Sequence, residues 1–436
     1  MTSLLVIFVI IILALYGTPL FVVLGSIALF SFFREGYGAD SGPLVIMPLY
    51  DIVSSQPVLL AIPLFTFAGY MMAESKTPQR LVELARAYIG WMPGGIALVT
   101  LFTCAIFTAF TGATGVTIIA LGGLMYPVLL KDMYGEKFSL GLITGAGNIG
   151  LLFPPSLPII LYALVVPKDG DMMVSVDQLF AAGLLPGLLI LMVIGIYVIL
   201  YAKQKRLSTY KFTFTEALRA TQNAIWEIPL PFIIIIGIYG GYFTATEAAS
   251  FVAFYVFVIE VFIYKDISLK KDLPKVITES MMLTGGVLIV LGTAMGLANY
   301  MIDAQIPMKI LSFMEQFITS KFVFLMTLNI FLLVVGFLLD IFSATLVVVP
   351  LIAPIASSFG INPVHLGIIF LTNLGIGYLT PPVGMNLFIA SFRFNKPVLT
   401  LYRASLPFLF LLLISLIIIT YVPFLSTYVV ELLNIK

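Results

Sequence analysis

The chain has 436 residues, of which 61% are hydrophobic and only 10% charged. A water-soluble domain carries about 25% charged residues, so a soluble enzyme, a nucleic-acid binder and a disordered protein are excluded. The net charge of +1, from 22 basic and 21 acidic residues, supplies no field for polyanions. A single Cys (Cys104) and a single His (His365) rule out a disulfide framework and Cys or His metal clusters. The composition leaves an all-α polytopic membrane protein whose main solvent is the lipid bilayer.

A spanning helix needs about 20 apolar residues. The first apolar run, 3–33, is too long for a cleavable signal and lacks its basic start and small-residue cleavage site. A second span follows at 57–74. Segment 78–90 is loosely amphipathic, with Leu81, Leu84 and Tyr88 on one helical face, and is expected along the membrane surface. Stretch 93–130 is apolar but interrupted by Gly and Thr, which predicts a re-entrant hairpin. Stretch 138–167 is broken at Pro154-Pro155, and a span at 178–202 closes a first unit, 1–205.

A polar connector, 206–225, leads to a second unit, 226–436. Basic residues flank 226–264 on both sides, so it should cross twice and turn near 240–247. A span at 278–301, an amphipathic segment at 307–319 (Ile310, Met314 and Phe317 on one face), a hairpin at 322–358, a broken span at 362–392 and a final span at 405–430 complete the order. With both hairpins re-entrant, 17 of the 22 Lys and Arg fall on one face and 5 on the other. Basic loops stay cytoplasmic, which puts the N-terminus inside and the C-terminus outside. Arg393 and Lys396 belong to that basic face.

The two units match. Pro154-Pro155 and Pro381-Pro382 lie 227 residues apart, and the same offset pairs Ile149 with Ile376, Gly150 with Gly377, Leu152 with Leu379, Pro127 with Pro354 and Gly69 with Gly296. If the first span of the repeat is 245–264, five crossings precede it (3–33, 57–74, 138–167, 178–202 and 226–241), and an odd number turns it upside down. Inverted repeats with paired broken helices mark secondary transporters.

Four constellations carry the chemistry. They are the tip of hairpin one (Thr111-Gly112-Ala113-Thr114), the first broken span (Gly150 to Phe153-Pro154-Pro155-Ser156), the tip of hairpin two (Asp340-Ile341-Phe342-Ser343-Ala344-Thr345) and the second broken span (Gly377-Tyr378-Leu379-Thr380-Pro381-Pro382-Val383-Gly384). Pro lacks an N–H and clashes with the preceding turn, so the helix unwinds. The freed carbonyls coordinate cations, and half-helix N-termini attract anions. Two cation sites are expected, each a hairpin tip facing a broken span. Their candidate residues are Thr111, Gly112, Thr114, Gly150, Phe153 and Pro154, then Ser343, Thr345, Gly377 and Thr380. Asn148, Ser156 and Gly384 are the candidates for substrate contact.

Asp340 has three open readings: cation ligand, proton carrier or helix cap. Thr244-Ala245-Thr246-Glu247 reads as a helix N-terminal capping box. Glu260, near a cytoplasmic end, reads as a structural or subunit contact. His365 is expected to be solvated or interfacial, and Trp91 and Trp226 to sit at interfaces. No Walker loop is present, and one histidine supports no catalytic triad, so neither an ATP-driven motor nor an enzyme is expected.

Ala61-Ile62-Pro63-Leu64-Phe65 with Ala68-Gly69, Pro93-Gly94-Gly95, residues 107–112, Phe153-Pro154-Pro155-Ser156, Leu179-Phe180-Ala181-Ala182-Gly183 with Pro186-Gly187, residues 244–248 and Leu379-Thr380-Pro381-Pro382-Val383-Gly384 together resemble the large membrane subunit of tripartite ATP-independent periplasmic (TRAP) transporters. The resemblance is ordered along nearly the whole chain. Two departures stand out. Hairpin one has Ala113 where the family has a second Ser, so that side chain is no ligand, and Ala245 replaces a Pro in the capping turn.

The resemblance implies an elevator-type importer in the bacterial inner membrane. It would take an organic acid, such as a C4-dicarboxylate or sialic acid, from a periplasmic substrate-binding protein and pair with a small four-helix membrane subunit, expected as a separate chain. Na⁺ is implied as the coupling ion, with no other metal and no cofactor. The alternative is a stand-alone Na⁺- or H⁺-coupled anion symporter of the same inverted-repeat fold.

Overall fold

The computed structural model describes residues 18–167, 174–207, 209–314, 316–318, 320–433 and 435. The start of the first predicted span (3–17), with the predicted inside N-terminus, lies outside the described residues, as do Lys168, Thr319 and Lys436.

The first unit contains α1 (Leu20–Phe32), α2 (Ser41–Ser55), α3 (Ala61–Glu74), α4 (Thr77–Ile89), α5 (Gly95–Thr111), α6 (Thr114–Lys131), α7 (Glu136–Ala146), α8 (Leu157–Val165) and α9 (Val176–Lys205). The connector forms α10 (Phe214–Asn223). The second unit contains α11 (Pro229–Tyr239), α12 (Ala245–Val258), α13 (Asp272–Asp303), α14 (Ile306–Met314), α15 (Lys321–Leu338), α16 (Ile341–Ser358), α17 (Pro363–Gly377), α18 (Met385–Phe394), α19 (Val398–Tyr421) and α20 (Phe424–Leu432). Among the described residues, nine helical stretches are long and apolar enough to cross a membrane, and a tenth if α7 and α8, bent by 46°, count as one.

The second unit repeats the helix boundaries of the first. The helices after the two hairpin turns start at Thr114 and Ile341 and end at Lys131 and Ser358, and the broken spans start at Glu136 and Pro363. Each pair is 227 residues apart. Both Pro–Pro bonds at the breaks are cis. The two broken spans start at opposite ends of α19. Glu136, at the head of α7, pairs with Lys396 just before α19. At the far end of α19, the Thr420 carbonyl meets the His365 ring, 3.2 Å away, in the first turn of α17.

Helix α13 is the pole of the other half of the molecule. Its 32 residues reach about 48 Å, longer than a ~30 Å hydrocarbon layer. Phe32 meets Tyr300 edge-on, with ring centroids 5.4 Å apart, and Gly25 lies against Thr293, so α1 runs parallel to α13. Val45 faces Gly296, Leu49 faces Gly292, and Glu74 pairs with Lys275 at 2.7 Å. Helices α2 and α3 therefore form one kinked descent antiparallel to α13. Helix α2 was not expected. Pro43, Pro48, Asp51, Ser54 and Ser55 break its apolar pattern, and only the surface offered by α13 makes it worth forming.

Three further boundaries differ from expectation. Helix α11 has only 11 residues. The stretch still runs back along α12, because the Tyr255 hydroxyl donates to Trp226 O (3.0 Å) and the Tyr264 hydroxyl to Asn223 O (2.7 Å). The final span ends at Tyr421 rather than 430. Val422 precedes Pro423 and is pushed out of the helical region, so α20 folds as a separate helix. His365 is buried rather than interfacial, since α20 covers it and Ser426 Oγ contacts its Nδ1 at 2.6 Å. Trp91 and Trp226 are both exposed.

The surface helix α4 is held by charge. Arg80 pairs with Glu227, with Glu260 at 3.1 Å and with Asp266 at 2.6 Å, and its guanidinium lies 3.8 Å from the Tyr264 ring centre. Glu260 also accepts from the Thr77 hydroxyl at 2.7 Å. Its role is thus the structural one expected. The Thr244–Glu247 capping box forms with both of its hydrogen bonds.

Candidate functional site

Hairpin one turns at Gly112 and Ala113. Gly112 has φ +65, and a Cβ there would sit 2.7 Å from Leu157, so the turn requires glycine both for its conformation and for its approach to the head of α8. One turn before the break, a Cβ on Gly150 would lie 2.3 Å from Ala105 O. These two close approaches clamp the first broken span onto its hairpin. The two arms of the hairpin are joined by a Thr108–Thr117 hydroxyl pair at 2.6 Å.

A side-chain bridge crosses this junction. The Thr114 hydroxyl donates to Asn386 Oδ1 (2.7 Å), and Asn386 Nδ2 donates to Asn148 Oδ1 (2.7 Å). Three elements thus meet at one fully buried amide: hairpin one, the first broken span and the second broken span. Asn148 Nδ2 and Ser156 Oγ are buried with no hydrogen-bond partner among the described residues. Leaving a buried polar group unpaired costs about 1–3 kcal/mol, so two such atoms on one unwound stretch point to a ligand.

The second junction is built differently. The backbones of Gly336 and Gly377 touch, and a Cβ on Gly377 would lie 2.5 Å from Gly336 Cα. The Ile341 N–H donates to the Tyr378 hydroxyl. Asp340 Oδ1 accepts from the N–H groups of Phe342 and Ser343, both at 3.0 Å, so Asp340 is the N-cap of α16. Of its three open readings, the cap is the one its contacts display. Gly384 has φ +52, and a Cβ there would press on the Tyr378 and Thr380 carbonyls.

The predicted hydroxyls divide into two kinds. Thr111 donates to Phe107 O (3.1 Å), Thr345 to Ile341 O (2.6 Å) and Thr380 to Ile376 O (3.0 Å), each one turn back on its own helix. A hydroxyl has one proton and two lone pairs, so these three keep acceptor capacity for a cation. Thr114 instead spends its proton across the molecule. Ser343 is buried near the start of α16, but no hydrogen bond joins it or Thr345 to Thr380. Phe153 packs against Gly187 of α9, and with Pro154 it lies half-buried rather than on the hairpin tip.

Arg393 Nε donates to Ile119 O at 2.9 Å, and Lys396 is paired with Glu136, so both basic side chains serve local structure. Sequence reasoning missed Asn386. Its one local signal was an amide placed two residues after Gly384 in an otherwise apolar run. It also missed a second buried ladder, in which Asn373 Nδ2 donates to Asn329 Oδ1 (2.7 Å) and Asn329 Nδ2 to Thr420 Oγ1 (3.1 Å).

Residues 5–425 match the DctM component of the tripartite ATP-independent periplasmic transporters. The chain belongs to this family. It is similar to the C4-dicarboxylate TRAP transporter large permease protein DctM of Pseudomonas aeruginosa, 35% identical over 391 residues, covering 89% of this chain and 90% of that one. It is also similar to the isethionate TRAP transporter permease protein DctMQ of Oleidesulfovibrio alaskensis, 33% identical, covering 93% of this chain and 63% of the longer relative. Among solved structures, the Alcanivorax borkumensis YdaH transporter shares the fold at TM-score 0.64 and 14% identity, over 89% of this chain and 90% of that one. This TRAP permease subunit is a multi-pass membrane transport protein and not an enzyme.

Proposed function

We propose that this TRAP permease subunit imports an organic acid across the bacterial inner membrane, driven by Na⁺. The acid is delivered by a periplasmic binding protein, and the subunit works beside a small four-helix membrane partner. The observation that carries the reading is the Thr114–Asn386–Asn148 bridge, with Asn148 Nδ2 left over on it and Ser156 Oγ left over further along the same unwound stretch. An unspent amide N–H and a hydroxyl in a buried, unwound stretch suit a carboxylate oxygen. Hydroxyl lone pairs and freed carbonyls at the same junction suit Na⁺.

The relatives' names favour a C4-dicarboxylate over sialic acid, while an isethionate relative of similar identity keeps other small acids in view. The name DctMQ and the extra length of that relative support a membrane partner. Movement is read as an elevator. Hairpins and broken spans travel together against α1–α3 and α13, with α4 and α14 as connecting levers. The bias of basic residues supports an inside N-terminus and an outside C-terminus.

Uptake into proteoliposomes tests this. Transport should require an inward Na⁺ gradient and an added loaded binding protein. Uptake that persists without the binding protein would favour the stand-alone symporter. Thr114→Ala and Thr380→Ala should each weaken Na⁺ activation, and unchanged Na⁺ dependence in both would remove the site assignment.

A further inference from the structure

A polar cleft of about 450 Å³ opens on the basic end of the molecule, between α4 and residues 210–223. Arg86, Lys211 and Arg219 line it together with Glu83 and Glu216. Its walls are fixed. The Arg86 guanidinium lies 4.5 Å from the Tyr210 ring centre, the Tyr210 hydroxyl donates to Asp132 (3.0 Å), and the Tyr88 and Thr221 hydroxyls meet at 2.9 Å between α4 and α10. Among the described residues, none of the three basic side chains lies within ion-pair distance of a carboxylate, although two carboxylates share the cleft. The five charged residues that line the cleft sum to +1, Arg86 rests on the Tyr210 ring, and the heads of Lys211 and Arg219 are in no ion pair among the described residues.

Its rim is apolar and unpartnered. Trp91 and Phe212 line it and are exposed. It also lies where spans meet water, after the Lys203 and Lys205 end of α9 and before α11. Indoles and aromatic rings beside basic residues at such a boundary match the chemistry of a lipid head group with its acyl chains alongside.

We propose that this cleft binds the phosphodiester head group of an anionic phospholipid. Arg86, Lys211 and Arg219 face the phosphate, and Trp91 and Phe212 sit against the glycerol and upper acyl chains. Basic heads outside any ion pair suit the anionic phosphodiester. The bound lipid would brace α4, one of the two levers, against the connector.

The test uses the purified full chain, delipidated in detergent, with phosphatidylglycerol or phosphatidylcholine added. Lipid retention is read by native mass spectrometry and stability by thermal unfolding. Phosphatidylglycerol should be retained in preference to phosphatidylcholine and should raise the melting temperature. The double substitution Lys211→Gln with Arg219→Gln should weaken that retention by more than about tenfold, since each basic residue near a charged surface is worth roughly fivefold. Lys211→Arg with Arg219→Lys should keep it. Both pairs lie on exposed side chains, so the melting temperature without lipid should not move. Equal retention of the two lipids, or a glutamine variant that retains phosphatidylglycerol unchanged, overturns the proposal. Stabilisation by glycerol 3-phosphate alone, at the concentration at which the lipid acts, overturns the lipid source and assigns the cleft to a soluble phosphate.

Discussion

Hairpin one and hairpin two share helix boundaries but meet their broken spans by different means. At the first junction, side chains do the joining: Thr114 to Asn386, and Asn386 to Asn148, with donors left over. At the second, the tip meets its broken span through backbone, Gly336 against Gly377 and the Ile341 N–H on the Tyr378 hydroxyl, and the side-chain link, Asn373 to Asn329, lies further back along the helices. The surface helices that precede the hairpins differ in the same way. Helix α4 is anchored by Arg80 among three carboxylates. Helix α14 buries Pro307 and Leu311 and leaves Lys309 exposed. A repeated frame can thus carry an uneven chemistry. The first junction leaves the Asn148 amide N–H and the Ser156 hydroxyl unpaired, whereas the tip of hairpin two closes against its broken span by glycine contact.

The largest effect that tests this contrast is on the helices α4 and α14. Arg80→Gln strips the cation from Glu227, Glu260 and Asp266, and breaking a buried pair from one side costs about 3–5 kcal/mol. Lys309→Gln in α14 should move stability by less than about 0.5 kcal/mol. Denaturant or thermal unfolding of the two variants reads the difference, and equal losses would erase the asymmetry.

Next comes the bridge. Asn386→Leu unpairs Thr114 and Asn148 together, at about 1–3 kcal/mol for each orphaned group. Uptake in proteoliposomes should fall by more than about tenfold, a loss that corresponds to 1.4 kcal/mol or more. Wild-type uptake by this variant would show that the first junction holds no cargo.

The glycine contacts should give a middle effect. Gly150→Ala drives a Cβ onto Ala105 O and should cost about 1–3 kcal/mol of stability. Gly375→Ala, where the nearest atom would be 3.6 Å away, should be tolerated. A matched pair of melting curves decides this, and equal tolerance would mean that the clamp at Gly150 is loose.

The smallest effect is expected at Asp340. Asn caps a helix about as well as Asp, so Asp340→Asn should leave stability within a few tenths of a kcal/mol and the pH profile of uptake unchanged. A shifted profile would instead make Asp340 a proton carrier.

Local features were readable before the fold was known. Gly112 at a turn, Pro154 and Pro381 at breaks, Thr244 with Glu247 and Asp340 before a helix all act through neighbours within a few residues. The partners of Arg80 were not readable, because they lie 147 to 186 residues away. Asn386 was missed for the same reason, its contacts being 272 and 238 residues distant. Helix α2 was missed because its polar interruptions outweigh its apolar residues until α13 covers them. His365 was misplaced because α20, the helix that buries it, was read as part of a longer span.

By itself the sequence determined the solvent, the class of fold, the positions where helices must break and the offset at which the two halves repeat. Those follow from transfer energies and backbone sterics, which each short stretch carries on its own. The tertiary structure decided which hydroxyls point back into their own helix and which reach across it. It also decided which carboxylates gather on Arg80 and which buried donors are left without a partner. Such outcomes depend on distant segments arriving at one place, and no local pattern encodes where they arrive.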